Sequence, residues 1–158
     1  MGNIQLLAEA VGRPCVSHST VELGWFSFTQ RPTNDEIISF VDGGLHLLSS
    51  DNAFYPEICL ESHSAEPANH STADWDYDRT LRGADFIDRL AINALFDAPC
   101  AELPVAAGRY DVRIRCRGRD HTRAEILFEE VPTDEPHEDP LEHWLIQLWP
   151  SEEQTTTA

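Results

Sequence analysis

The sequence predicts a mainly β protein, a single-domain antiparallel β-sandwich or flattened barrel with little helix. Apolar and polar residues alternate over short runs, which is the side-chain period of a strand. Segments rich in glycine, proline, asparagine and aspartate separate these runs at short intervals, as turns do. Few apolar runs have the length and spacing of a helix. We therefore expect seven to nine strands in one domain at residues 1–150, followed by a polar C-terminal tail at 151–158.

The clearest strand lies within residues 109–123, where apolar and charged side chains alternate. Gly108 and Gly118 bound this strand with residues that permit sharp bends. The stretch contains six of the chain's eleven basic residues, all of which are arginines. The apolar face carries Tyr110, Val112, Ile114 and Cys116, and the charged face carries Asp111, Arg113, Arg115 and Arg117.

Arg113, Arg115 and Arg117 form what we call the arginine stripe. We expect the stripe to pair with acids on neighbouring strands, such as Glu125 and Glu129, because the chain offers many carboxylates. The alternative is that the stripe binds an anion from solvent.

The first half of the chain contains several shorter strand regions. Residues 3–10 fit either a short strand or one or two helical turns. Residues 20–30 favour a strand whose alternation slips, as it does at a β-bulge. Two apolar runs at 37–41 and 45–48 flank an Asp-Gly-Gly turn and predict a β-hairpin. Residues 53–62 favour a further strand, with Pro56 placing its start at a sheet edge or bulge.

The second half begins with residues 63–84, which are polar and predict a long surface loop. Residues 90–96 alternate as a strand, although the apolar spacing from residue 86 onward also fits a helix. Short strands are predicted at 101–105, 124–131 and 143–149, with an acidic, proline-rich loop between the last two.

The charge balance restricts the possible partners. The formal net charge is −17, from 28 acidic residues against 11 arginines. Nucleic acid and anionic membrane surfaces are excluded as expected partners, because phosphate contacts need a basic footprint. A field of this sign attracts a cationic protein, although many soluble proteins are acidic without such a partner.

The four cysteines are widely spaced and form no C-x-x-C pair. We expect them to be reduced, which indicates a cytoplasmic protein. The N-terminus shows no signal-peptide pattern, and no run of 18 apolar residues occurs.

Residues 74–78 combine carboxylates with aromatic rings. Asp74, Asp76 and Asp78 alternate with Trp75 and Tyr77. Alternating aspartates occur in calcium loops, but here the sixth and twelfth positions of that pattern are arginine and aspartate instead of glycine and glutamate. The segment fits either a solvated acidic loop or a contact patch that meets the arginines and lysines of a partner.

A second acidic run spans residues 129–142 and contains no basic residue. It fits either a solvated surface or an acidic arm that covers the basic groove of a nuclease or similar toxin. The candidate partner-binding residues in this run are Glu129, Glu130, Asp134, Glu135, Glu138 and Asp139.

Catalytic and cofactor motifs are absent from the sequence. It contains no G-x-S-x-G elbow, phosphate-binding loop, dinucleotide fingerprint or H-E-x-x-H helix. Cys59, His63 and His70 are zinc-ligand types, but their spacing matches no closed zinc pattern. We therefore expect a protein that is not an enzyme and carries no cofactor or metal.

The C-terminal half resembles a group of small uncharacterised bacterial proteins. The shared pattern is G-x-Y-x-V-R at 108–113, R-G-R-D at 117–120 and L-I-Q-L-W-P at 145–150. The order of a long loop, an arginine/apolar strand and the pattern L-P-x-x-x-G-x-Y at 103–110 is also similar to the competence protein J family, whose member is an acidic inhibitor of a DNA-entry nuclease. This resemblance covers residues 85–150 and implies an inhibitor or immunity role in a bacterium. It transfers no catalytic residue.

The sequence thus favours an acidic immunity or inhibitor protein that occludes a basic toxin, with a nuclease or other nucleic-acid-acting enzyme as the expected partner. The alternative is a small ligand-binding or enzymatic β-sandwich with a pocket lined by the arginine stripe. A structural module that associates through edge strands is a third hypothesis, and the oligomeric state stays open.

Overall fold

The computed structural model describes residues 3–14, 20–24, 37–41, 43–49, 55–69, 74–93, 99–119 and 142–152. Ten β-strands lie in this part of the chain. In chain order they are β1 Leu6–Gly12, β2 Thr20–Gly24, β3 Ile38–Val41, β4 Gly44–Leu48, β5 Glu57–His63, β6 Tyr77–Phe86, β7 Arg89–Asn93, β8 Ala101–Pro104, β9 Gly108–Arg117 and β10 His143–Pro150.

The strands form two five-stranded sheets that pack face to face. The first sheet has the order β1-β5-β10-β9-β6, and the second has the order β3-β4-β2-β7-β8. Apolar side chains from both sheets meet in one buried core, so the predicted β-sandwich is confirmed, and the sheets do not close into a barrel. One pair departs from the predicted antiparallel arrangement, because β5 and β10 run parallel.

Strands β9 and β10 form the centre of the first sheet, and alternate side chains of each strand point into the core. Val112, Ile114 and Cys116 of β9 point into the core and have no exposed surface. On β10 the three inward side chains are Trp144, Ile146 and Leu148. The burial of these apolar side chains is the main contribution to the stability of the fold, and it amounts to about 25 cal/mol per Å² of apolar surface removed from water. The opposite face of each strand forms the outer face of the first sheet.

The predicted hairpin after residue 37 is confirmed. β3 and β4 pair antiparallel, with Val41 opposite Gly44. Gly43 lies in the connection with a φ of 78°, a left-handed conformation that glycine adopts without steric cost. Pro56 immediately precedes β5, but β5 lies between β1 and β10 and pairs without a register shift at its start, so the expected sheet edge or bulge at Pro56 is wrong.

The long loop predicted at residues 63–84 is wrong in its second half. Residues from Tyr77 onward form β6, which is ten residues long and pairs with β9 at the edge of the first sheet. The apolar alternation of β6 is interrupted because Arg79, which shares the register of Tyr77 and Leu81, is exposed at the edge of the sheet. A bulge between Leu81 and Ala84 breaks the period further.

The helix alternative for residues 85–90 is also wrong. β6 extends to Phe86, a two-residue connection follows, and β7 begins at Arg89. The strand predicted at 124–131 and the slipped alternation after residue 24 lie outside the described residues. Within the described ranges, no helix has the length and apolar character that crossing a membrane would need.

Candidate partner-binding face

The outer face of the first sheet carries the arginine stripe, which lies on β9. Arg113 is buried against it, with 7% of its surface exposed. Its guanidinium donates to the Pro67 carbonyl at 3.1 Å and to Glu66 Oε1 at 2.5 Å. The guanidinium also lies 5.1 Å from the centre of the Trp149 ring. The segment before β6 therefore covers this part of the arginine stripe.

Arg115 is buried by the same segment. Its Nε donates to Asp78 Oδ2 at 2.9 Å, and its Nη2 donates to Asn69 Oδ1. Asp78 lies on β6 directly opposite Arg115, so an acid of a neighbouring strand does pair with the stripe. Glu125 and Glu129, named as examples of such acids, lie outside the described residues.

In residues 74–78 the aromatic rings contact other residues of the chain, and the carboxylates are exposed. Trp75 lies 5.9 Å from the Arg115 guanidinium and 5.7 Å from that of Arg117. Tyr77 packs against the core, and the Arg119 guanidinium lies 5.8 Å from its ring. Asp74 and Asp76 are exposed, whereas the exposed Asp78 is already paired with Arg115. The two rings therefore hold the backbone that presents Asp74 and Asp76.

The second acidic run is described only at its end. Its candidate residues Glu129, Glu130, Asp134, Glu135, Glu138 and Asp139 lie outside the described residues. Glu142 is described and is fully buried. Its Oε1 accepts hydrogen bonds from Ser49 Oγ at 2.7 Å and from Trp144 Nε1 at 2.6 Å. This acid has an internal structural role, which its position in a charge run did not reveal.

Sequence reasoning missed a cluster on the other half of the outer face. Three possible ligand atoms lie within 4.8 Å of one another there: a carboxylate oxygen of Glu9 on β1, and the sulfur of Cys59 and a carboxylate oxygen of Glu61 on β5. We call these three residues the thiol–carboxylate cluster. Burial, together with the charges of Glu61, Glu9 and Glu57, raises the pKa of the Cys59 thiol to about 12. The alternation of Glu57, Cys59, Glu61 and His63 along β5 was a signal, but Glu9 is distant in sequence.

A cleft with a volume of about 730 Å³ opens at the edge of the outer face. Its lining includes Arg82, Arg109, Asp111 and Trp149, but Arg113, Arg115 and Arg117 do not line it. This cleft is therefore a different one from the predicted pocket lined by the arginine stripe, which stays a prediction.

Known proteins match this chain in fold and not in sequence. No family model matches the sequence, and no curated protein matches it. The crystal structure of ComJ from Bacillus subtilis, an inhibitor of the DNA degrading activity of NucA, aligns with a TM-score of 0.60 and 11% identity. This alignment covers 94% of this chain and 99% of ComJ.

The protein of crocagin biosynthetic gene J aligns with a TM-score of 0.57 and 18% identity, over 91% of this chain and 99% of that protein. At these identities the comparisons show a shared fold alone. The fold agrees with the resemblance to competence protein J noted in the sequence.

Proposed function

We propose that this chain is a non-catalytic inhibitor or immunity protein of the cytoplasm that binds a basic, nucleic-acid-degrading enzyme and occludes its active site. One observation carries the proposal: the fold is shared along nearly the whole chain with ComJ, an inhibitor of a DNA-degrading nuclease. The formal net charge of −17 supports it, because the groove of a nuclease that holds phosphates is basic. The partner is a protein, with neither nucleic acid nor membrane bound by this chain.

Inhibition would act through two acidic patches, residues 74–78 and residues 129–139. Carboxylates of the inhibitor take the place of nucleic-acid phosphates in the groove of the enzyme. Asp74 and Asp76 are exposed on a segment that Trp75 and Tyr77 hold in place, so little conformational entropy is lost when they bind. The acids of residues 129–139 add further negative charge along the sequence. Opposite charges raise the association rate and make it depend on salt.

The test begins with recovery of the partner from source cells. The protein is tagged at its C-terminus and washed with increasing salt, and the released proteins are assayed for degradation of DNA and RNA. We expect salt to release a basic protein that degrades nucleic acid, and we expect purified wild-type protein to inhibit it at a one-to-one ratio. A released fraction without degrading activity, or one that the wild-type protein does not inhibit, contradicts the proposal.

Charge reversal then tests the patches. The variant D74R/D76R should associate with the enzyme about tenfold more slowly, or slower still, because its steering charge has changed sign. The matched control is D85R/D88R, which reverses two exposed acids where β6 turns into β7. A third variant reverses Glu129, Glu130, Asp134 and Glu135. Unchanged inhibition by both patch variants would show that the partner binds elsewhere.

The alternative function is ligand binding in the cleft beside Trp149. Its volume suits a small molecule, and the second protein of this fold is named for a biosynthetic gene. Recovery of no partner in the experiment above would favour this alternative. Thermal stability would then be measured with small anionic and zwitterionic compounds.

A further inference from the structure

The thiol–carboxylate cluster takes no part in the proposed inhibition. Its three ligand atoms lie within 4.8 Å of one another, and they come from two adjacent strands of one rigid sheet. Glu9 is exposed, while Cys59 and Glu61 are half-buried, so an ion can reach them from solvent. Small side-chain adjustments would bring these atoms to the bonding distances of a four-coordinate cation, about 2.0–2.3 Å.

The backbone register places two negative carboxylates of the cluster close together. Glu9 and Glu61 are directly opposite each other in the β1–β5 ladder. Like charges at directly opposed strand positions destabilise a sheet. A positive ion between the two carboxylates converts this repulsion into attraction.

Gln147 of β10 is a second and independent sign of a missing positive group. It is only 8% exposed, and its Nε2 donates to Glu61 Oε2 at 2.8 Å, so the amide is directed into the cluster. Its Oε1 is buried, and no group of the described chain donates a hydrogen bond to it. A buried acceptor without a partner costs free energy. A water molecule bound to a cation in the cluster would donate the hydrogen bond that this oxygen lacks.

We propose that Glu9, Cys59 and Glu61 bind a zinc-class divalent cation. A sulfur ligand selects Zn²⁺ over Mg²⁺ and Ca²⁺, which prefer oxygen ligands alone. Glu61 binds through Oε1, because Gln147 and the His63 ring, each at 2.8 Å, hold Oε2. The thiol proton passes to solvent when the sulfur binds the ion as thiolate. The sequence predicted no such site because Glu9 is remote from β5.

The first test uses Co²⁺ as the probe on the full, metal-stripped chain under reducing conditions. A cobalt–thiolate bond gives a charge-transfer absorption in the near ultraviolet, and we expect this band to saturate at one ion per chain. Cys59→Ser should abolish the band. The matched control Cys100→Ser replaces an exposed thiol outside the cluster and should keep it. Gln147→Leu should keep the band but weaken the affinity about 10–100-fold, as loss of an outer-shell partner does.

The second test measures thermal unfolding with Zn²⁺ and, separately, with Mg²⁺. Zn²⁺ should raise the unfolding temperature of the wild type and of Cys100→Ser, whereas Mg²⁺ at the same concentration should not. Glu9→Gln changes an exposed side chain without loss of the fold, and it should remove most of the Zn²⁺ effect. A cobalt band that persists in Cys59→Ser, or a Zn²⁺ effect that persists in both Cys59→Ser and Glu9→Gln, overturns the proposal. Absence of any band in the wild type does the same.

Discussion

Asp111 of β9 holds the edge strand β6 in place through hydrogen bonds at the edge of the outer face. Only 5% of its surface is exposed. Its Oδ2 accepts a hydrogen bond from Arg82 Nη1 at 2.7 Å, and its Oδ1 accepts one from the backbone N–H of Gly83 at 2.9 Å. Burial by itself raises the pKa of this carboxyl. The hydrogen bonds from Arg82, Gly83 and Ser151 outweigh burial and lower the pKa below 3.8.

We predict that Asp111→Asn lowers the free energy of unfolding by about 1–3 kcal/mol at neutral pH, because the variant loses a charged acceptor inside the fold. A folded-state pKa below the unfolded value of 3.8 gives stability that is fully present above that value. This stability is lost as the pH falls through the folded-state pKa. The difference between wild type and variant should therefore shrink below about pH 4.

Urea unfolding between pH 3 and pH 7 measures this difference. Asp88→Asn is the control, since Asp88 is exposed in the connection between β6 and β7, and its effect should stay within about 0.5 kcal/mol. A difference between wild type and Asp111→Asn that does not change with pH would contradict the assigned pKa direction.

At the scale of the element, the bulge in β6 is built on Gly83. Its φ is 72°, a conformation that other residues adopt at a cost of about 1–2 kcal/mol. A Cβ at this position would lie 2.8 Å from both Nε and Nη2 of Arg109. Arg109 Nε also donates to the Gly83 carbonyl at 3.2 Å. The bulge thus requires glycine for two reasons: the left-handed backbone, and the lack of space for a Cβ beside Arg109. The two contributions to stability can be measured separately.

We predict that Gly83→Ala lowers the free energy of unfolding by about 2–3 kcal/mol, from left-handed strain and displacement of the Arg109 side chain together. In an Arg109→Ala background the steric part disappears and about 1–2 kcal/mol of strain remains. A double-mutant cycle by chemical denaturation measures both parts. If Gly83→Ala costs nothing in the Arg109→Ala background, the backbone at this position is not constrained.

Strands with a clear local pattern could be predicted from the sequence. β9 alternates apolar and charged residues, whereas β10 is a short run with apolar residues on both faces, so the position of each followed from the residues. β6 was missed because the exposed Arg79 interrupts its apolar alternation and a bulge shifts the register after Leu81. The parallel β5–β10 pair depends on long-range packing, which no local pattern encodes.

The candidate site shows the same limit. Asp74, Asp76 and the neighbouring rings of Trp75 and Tyr77 were found because they adjoin in sequence. The rings proved to lie on the chain's own arginines, a contact that needs the β6–β9 pairing to form. The thiol–carboxylate cluster was missed because β1 contributes one of its three residues.

At the scale of the whole molecule, the net charge of −17 opposes compaction. We predict that raising the salt concentration from about 0.01 M to 0.15 M stabilises the fold, since the screening length falls from about 30 Å to 8 Å. The effect should be about 1 kcal/mol, or roughly 2–4 °C in the unfolding temperature.

Differential scanning calorimetry measures this temperature. A variant with the exposed Asp74, Asp76, Asp85 and Asp88 changed to asparagine is the control, because it carries four fewer negative charges. Its unfolding temperature should be higher at low salt and should rise less with added salt. An unfolding temperature that falls with salt would show that attractive ion pairs outweigh the net repulsion.

The position of β10 has a consequence for how the chain is made. β10 is the middle strand of the first sheet, yet it is the last strand of the described chain to leave the ribosome. β5 is complete at residue 63, but its neighbour β10 is complete only at residue 150. At about 5–20 residues per second, β5 waits roughly 4–17 seconds for that neighbour. The first sheet is therefore completed only after residue 150 has been made, and a nascent chain stalled before residue 143 exposes the unpaired edges of β5 and β9 to chaperones and proteases.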